Sequence, residues 1–483
     1  MKAVLKNKKY LLVVLIASIL LGACKKSFLE VTPRGRLIAT KTNDYNLMLN
    51  STDLINYAIA PVYTALGDEV ISLDPVFGTR PAKDQRLFRY EDNIYDPAVE
   101  PSEITTLARV LYVYNKIINE VMDSEGGTVA EKTGILAEAL TGRAWIYLHF
   151  TNLFTKPYNP TTASSDLGFP IITLADVTIS NYKRGSLKEV YDFMINDLTS
   201  AMPNLSPTIS SRFRASRPLA QALLAKVYLA MGRFSDALPV LDGAINNITA
   251  NTGVPMSLYD LNVELLPGGA LFNTSMSVIG PSLPTLPNNT ESLYSRQESN
   301  SYNGSTNNFS VLSPAAATLY AATDLRRRYY NNTSLTYPVG CLRRLSPTIQ
   351  SAGMNLPEIY LMRAECRARA NSLYGSGSAA QDLLFLRQRR MTLANATIPT
   401  LLTQNQMINY VIEERLRETA FTGLRWFDMR RLSVDPLFSS RTYTHTLHYA
   451  NGSTVNYPLR PERLTLRIPP RILADNPGME DNK

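Results

Sequence analysis

Cysteine and histidine are scarce, three of each in 483 residues, and tryptophan occurs only twice. So few thiols exclude a fold built on disulfides, and so few thiols and imidazoles together leave little to hold a metal. There is no Gly-rich phosphate loop, HExxH, CxxC or GxSxG, so nucleotide, zinc-peptidase, thiol-redox and serine-hydrolase chemistry lack their motifs. One apolar run is long, Tyr10 to Leu21, and its twelve residues fall short of the roughly 20 that a membrane-spanning helix needs. What is present is an ordinary globular composition: 45% hydrophobic residues exclude a mainly disordered chain and support a large core. The length admits about three domain-sized units or one large helical domain.

The formal charge of +8 would suit nucleic acid, but its distribution argues against it. Four lysines lie in the first ten residues, and without that stretch the net charge is +4. From residue 321 onward there are 21 Arg and one Lys against 13 acids. They alternate with acids on helical spacing, as in Glu413-Glu414-Arg415-Leu416-Arg417-Glu418, which makes an ion-paired helix face rather than a phosphate-binding stripe. No nucleic-acid partner is expected.

The amino terminus carries a basic stretch (Met1 to Lys9), then the apolar run, then Leu21-Gly22-Ala23-Cys24. This is a secretory leader, and its end resembles the lipobox of bacterial lipoproteins, where small residues admit a peptidase and the thiol takes a diacylglycerol. Residues 1–23 are then a signal peptide, Cys24 the lipidated terminus, and 24–40 a tether. One acyl chain anchors only marginally, and several together anchor stably.

Beyond the tether, helix signals recur. Asn43 or Asp44 can cap a segment through Asn56, and Ser102 opens a helix whose apolar residues, Leu107 to Val121, recur at three and four. Two capping boxes, Thr128-x-x-Glu131 and Ser186-x-x-Glu189, start helices to about Phe154 and Met202. Leu219 to Met231, Gly232, and Phe234 to Ile245 form a helix, turn and helix that resembles a tetratricopeptide unit. Glu358 to Ala370 with Ser378 to Arg390 makes a degenerate second pair. Thr403 caps a last long helix through Ala420. Residues 443–459 alternate around Asn451-Gly452, the clearest hairpin signal in the chain. Residues 61–100 lack a clean period, and 247–312 are rich in Asn, Ser, Thr, Pro and Gly with stranded aromatics. The expected fold is mainly α: a tetratricopeptide-like helical-repeat scaffold with irregular loop-rich insertions and a small β-hairpin near the C-terminus.

Little points to catalysis. His149 falls at helical spacing among Trp145, Phe150 and Leu153, a core position, while His445 and His448 alternate to opposite faces of a strand. Cys366 lies on an apolar helix stripe and Cys341 in a loop, with no His nearby in sequence to activate either. A spatially paired set of carboxylates stays open, since such pairs meet only in the fold.

Taken in order, several segments resemble the SusD/RagB group, lipid-anchored outer-membrane proteins of Bacteroidetes. They are Phe28-Leu29-Glu30-Val31-Thr32-Pro33, the helix with Asn115, Glu138-Ala139-x3-Arg143-Ala144-x2-Tyr147-x2-Phe150, Tyr191 to Leu205, Ala220 to Ala237 and Asp324-x-Arg326. The longest is Glu413 to Arg431, with Gly423-x-Arg425-Trp426-Phe427-Asp428, and Ile468-Pro469 and Asn476-Pro477-Gly478 follow near the end. The Glu413–Arg431 run reads as scaffold. Glu414, Arg417, Glu418 and Arg425 are expected to bond within one helix and its C-terminal turn, with Phe421, Trp426 and Phe427 packed beneath.

The resemblance implies one helical domain over 41–483, with its loop-rich insertion at about 247–312. It implies a non-enzymatic binder, lipid-anchored at the outer membrane and displayed on the cell surface. Such a protein captures oligosaccharide or polysaccharide and delivers it to a partner SusC-like TonB-dependent barrel, with no cofactor and no metal. Alternatives are peptide or another nutrient on the same scaffold, and a surface hydrolase. The family usually places its ligand surface in segments corresponding to 61–100 and 270–330. Sugar capture wants exposed aromatic faces with guanidinium and amide donors, so the candidates are Phe77, Arg80, Phe88, Tyr90, Tyr294, Arg296 and Tyr302. Two features depart from the family pattern: neither Trp lies in those segments, and Lys25-Lys26-Ser27 follows Cys24 where an acidic run is common.

Overall fold

The computed structural model describes residues 39–56, 60–299, 309–331, 340–345, 349–351 and 353–483. Cys24, Tyr302 and most of the tether lie outside them. Helices α1 (Thr42–Met48) and α2 (Ala60–Leu66) precede strand β1 (Val70–Leu73). The main series follows: α3 (Ser102–Glu120), α4 (Val129–Phe154), α5 (Leu187–Ala201), α6 (Arg217–Ala230) and α7 (Phe234–Thr249). It resumes as α8 (Leu356–Arg369), α9 (Ala379–Arg387), α10 (Gln404–Thr419) and α11 (Leu424–Ser433). From α3 to α7 each helix packs on the next, α7 packs on α8, and α8 packs on α9 and α10. This is the mainly α, tetratricopeptide-like scaffold that the periodicity predicts.

The capping boxes form as read. Thr128 Oγ1 accepts from the Glu131 amide at 3.2 Å, and Glu131 accepts from the Thr128 amide at 2.7 Å. Ser186 with Glu189 repeats the geometry, and Thr403 pairs with Gln406 to start α10. From Thr141 to its end at Phe154, α4 is buried without a break. A helix buried on every face sits in the middle of a core, its Arg143 paired with Asp197 at 2.8 Å, and α3, α5 and α6 all pack on it. Gly142 makes the α3 approach possible, because a Cβ there would sit 2.2 Å from the Tyr114 ring. In the α6–α7 turn, Gly232 takes φ +73°, a backbone conformation that glycine adopts without strain.

The hairpin also forms, as β3 (Thr444–His448) against β4 (Thr454–Pro458), with Leu447 opposite Val455. It is not isolated. The sheet order is β4–β3–β1–β2, where β2 is Val311–Leu312 and β3 runs parallel to β1, so opposite ends of the chain close one small sheet.

Three local expectations fail. The first helix stops at Met48, and a 3₁₀ turn (Thr52–Leu54) follows in place of a helix to Asn56. Residues after α10 build a separate helix, α11, rather than a C-terminal turn, because Phe421 and Gly423 both take positive φ and redirect the chain. The run's ion pairs accordingly reach further than one helix. Arg417 does bond Glu414 at 2.7 Å, but Glu418 meets Arg326 and Arg390, and Arg425 meets Asp68. Its aromatic part behaves as read: Trp426 and Phe421 are fully buried, and Trp426 Nε1 donates to the Asn152 carbonyl at 2.9 Å.

Candidate functional site

The sequence-predicted ligand residues fall into two groups, and both are interior. Phe77, Phe88 and Phe309 form a ring cluster with centroids 5.4 to 6.0 Å apart, and His445 is sandwiched between Phe88 at 4.4 Å and Tyr90 at 4.3 Å. Tyr90 Oη lies 3.0 Å from both the Leu66 carbonyl and His445 Nε2. Arg80, the half-buried member, pairs with Asp84 at 2.8 Å and lies over Phe309. The second group is Tyr294 and Arg296: the guanidinium carbon sits 3.5 Å from the Tyr294 ring centre, and Tyr294 Oη is 3.2 Å from Tyr114 Oη. Phe77, Phe88, Tyr90, Tyr294 and Arg296 are all buried. A side chain enclosed on both faces offers no stacking platform, so these five are corrected from surface contacts to core packing. Tyr302 and Cys24 lie outside the described residues.

The other chemistry-bearing residues are also quiet. Burial lowers His149 to about 3, with Lys226 adding to the effect, so it stays neutral against Tyr63 and Trp145. Burial pushes the Cys341 thiol up to about 11 and raises Cys366 as well, which removes thiolate chemistry at neutral pH. Among the described residues no group of three His, Cys, Asp or Glu is placed to hold a metal, and no helix is long and apolar enough to cross a membrane.

A cavity of about 180 Å³ opens where the irregular segment meets the ends of α9 and α10. One wall is aromatic and apolar: Tyr259, Leu261, Leu271 and Leu283 from the irregular segment, with Tyr329 and Tyr330. Tyr329 ends a 3₁₀ turn (Leu325–Tyr329), and the following strand pairs Tyr330 with Arg344. The other wall is ionic. Arg390 Nη2 lies 2.7 Å from both Glu291 and Glu418, while Nη1 donates to the Tyr259 carbonyl at 2.7 Å. Arg326 reaches Asp324, Glu414 and Glu418 at 2.7, 2.7 and 2.8 Å.

Burial works against these charges, and the pairing decides the outcome. Burial would raise Glu414 and Glu418, but their surrounding arginines (Arg326, Arg417 and Arg387 for Glu414; Arg390 and Arg326 for Glu418) overcome it and hold both carboxyls below the usual range. At Glu291 burial prevails over Arg390, and its carboxyl titrates higher than normal. The result is a pocket with an ion-paired wall and three tyrosines in its lining, of which Tyr259 and Tyr330 are largely buried and Tyr329 is half-buried.

Two family profiles match. Residues 86–229 fit the family described as starch-binding associating with outer membrane, and residues 348–481 fit the SusD family. The chain belongs to the SusD/RagB family. A SusD-like protein of Bacteroides ovatus is 30% identical over 250 residues, 48% of this chain and 40% of that protein. SusD-like protein P2 of Formosa agariphila is 25% identical over 345 residues, 62% of this chain and 65% of its own length. The matches thus span less than two thirds of either relative. A sugar-binding protein of Bacteroides vulgatus, described as putative in its own name, superposes at TM-score 0.70 with 19% identity, covering 92% of this chain and 99% of the other. Surface glycan-binding protein A of Bacteroides fluxus superposes at 0.65 with 15% identity, covering 92% and 99%. A laminarin-binding SusD-like protein superposes at 0.63 with 17% identity, with the same coverage. At those identities the likeness is one of SusD fold.

The cavity residues Tyr259, Tyr329, Tyr330, Arg344 and Arg390 were not singled out as ligand residues from sequence. A usable signal existed in Asp324-x-Arg326, whose neighbours Tyr329 and Tyr330 follow a three-arginine step, but nothing local says which rings face solvent.

Proposed function

We propose that this SusD-family chain is a non-enzymatic, lipid-anchored binder on the cell surface. It captures oligosaccharide in the Tyr259–Tyr329–Tyr330 cavity and passes it to a SusC-like TonB-dependent barrel in the outer membrane. The observation that carries the reading is the cavity lining: tyrosine rings beside guanidinium donors, while the lining carboxylates Glu291 and Glu418 are both engaged by Arg390. Stacking and hydroxyl recognition need the first set, and acid–base catalysis would need a carboxylate less tied than the second. The names of the structural relatives, which mention sugar, glycan and laminarin binding, support the ligand class. The anchor rests on Leu21-Gly22-Ala23-Cys24, and the barrel partner on family resemblance.

The test is purification of the tagged lipoprotein from native outer membrane in mild detergent, with mass spectrometry of what accompanies it. A large TonB-dependent barrel is expected. Its absence, under conditions that retain other membrane complexes, would overturn delivery. Cys24→Ala should abolish incorporation of a labelled fatty acid, and retained labelling would overturn the anchor.

A further inference from the structure

The arginines lining the cavity are not equivalent. Arg326, Arg390 and Arg417 each meet a carboxylate within 2.8 Å. Arg344 also lines the cavity, yet among the described residues it meets none. Its guanidinium carbon lies 5.6 Å from the Tyr329 ring centre and 5.7 Å from that of Tyr330. Among the described residues its side chain makes one hydrogen bond, a long one from Nη1 to Tyr330 Oη at 3.4 Å, and Nε is buried with no partner there. The imbalance continues at the surface. Arg327 and Arg328 are exposed on the same turn as Tyr329, and neither forms an ion pair among the described residues. The carboxylates in the lining, Glu291 and Glu418, are spanned by Arg390. A half-buried guanidinium that has given up water without gaining a counter-ion is an unfilled anion position.

We infer that the cavity takes saccharides bearing an anionic group, a uronic-acid carboxylate or a sulfate ester, with the anion on Arg344 and the sugar ring beside Tyr329 and Tyr330. The planar fork of donors suits either oxyanion, and a neutral sugar would leave Arg344 as unpaired as before. The inference rests on the saccharide reading of the cavity proposed above.

The test is calorimetric titration of the full mature chain with a galacturonate trimer and a sulfated galactose disaccharide, each against its uncharged parent, at low and high salt. At least one anionic probe should bind about tenfold or more tightly than its parent, with the advantage shrinking as salt rises. Which of the two does so identifies the group. Arg344→Gln should bring that probe down to the level of its parent at an unchanged melting temperature, while Arg344→Lys, which keeps the charge without the fork, should retain part of the preference. Equal affinity for anionic and neutral probes, or a preference that survives Arg344→Gln, overturns the anionic assignment and leaves saccharide capture standing. Binding of none of the probes overturns both.

Discussion

Arg390 grips Glu418 through two nitrogens, with Nε at 2.9 Å and Nη2 at 2.7 Å from the same Oε1, and its other ion pair is with Glu291 in the irregular segment. One guanidinium therefore ties the loop-built wall of the cavity to α10, with Arg390 buried and both carboxylates largely shielded from water. Arg390→Met would keep the bulk, leave Glu291 without its counter-ion and leave Glu418 with Arg326 alone. Losing one partner of such a buried set typically costs ~3–5 kcal/mol, more than the intact pairing contributes. Denaturant unfolding should show a loss of that order, and a change below about 1 kcal/mol would mean that the carboxylates find water or other cations.

Trp426→Ala should destabilise by ~3–5 kcal/mol, the usual cost of emptying an aromatic site in a core that relaxes only partly. The indole is fully buried, and the substitution also strips the Asn152 carbonyl of its Nε1 donor. A thermal melt overlapping wild type would show that the site collapses without loss.

The helices, their caps and the hairpin were legible because each rests on neighbours in sequence: Thr128 needs only Glu131 three residues on, and Leu447 finds Val455 across the short loop 449–453 that holds Asn451-Gly452. The Glu413–Arg431 run was legible as scaffold, but its partners were not. Arg425 pairs with Asp68 and Glu418 with Arg390 across long stretches of chain, and no local spacing encodes those meetings. The site failed for the same reason. A Tyr or Phe stranded in a polar segment looks alike whether it stacks on a ligand or plugs a gap. Phe88 and Tyr90 clamp His445, which arrives from the far end of the chain, and so became core.

That distinction is open to direct comparison. Tyr294→Ala should lower stability by about 3 kcal/mol as a core truncation, since its ring packs under Arg296 and against Trp145. Tyr329→Ala, at the cavity rim, should weaken saccharide binding by on the order of 1–2 kcal/mol with a much smaller change in melting temperature. Titration and melting of the two variants side by side decide it. Reversed effects would return Tyr294 to the ligand surface and remove Tyr329 from it.

Glu69 supplies a pH dependence of unusual sign. It is buried at the start of β1, and burial together with the neighbouring Asp68 raises its carboxyl from the ordinary 4.5 to about 7. One oxygen accepts a long hydrogen bond from the Phe421 amide at 3.4 Å, and the other has no partner. A raised carboxyl favours folding while it is protonated. Its contribution is therefore complete below about pH 4.5 and is lost as pH rises through about 7, where the folded state must ionise it in place. Glu414, Glu418, Glu365 and Asp428 run the other way: burial opposes their charge, their arginine partners outweigh it, and they favour folding less as pH falls. Those four are common to wild type and Glu69→Gln, so the difference between the two proteins isolates Glu69. Denaturant unfolding at about pH 5 and about pH 8 should show the variant gaining on wild type by on the order of 3 kcal/mol at the higher pH, the amount implied by a rise from 4.5 to about 7. A difference independent of pH would place the Glu69 carboxyl at its ordinary value and its second oxygen in contact with water.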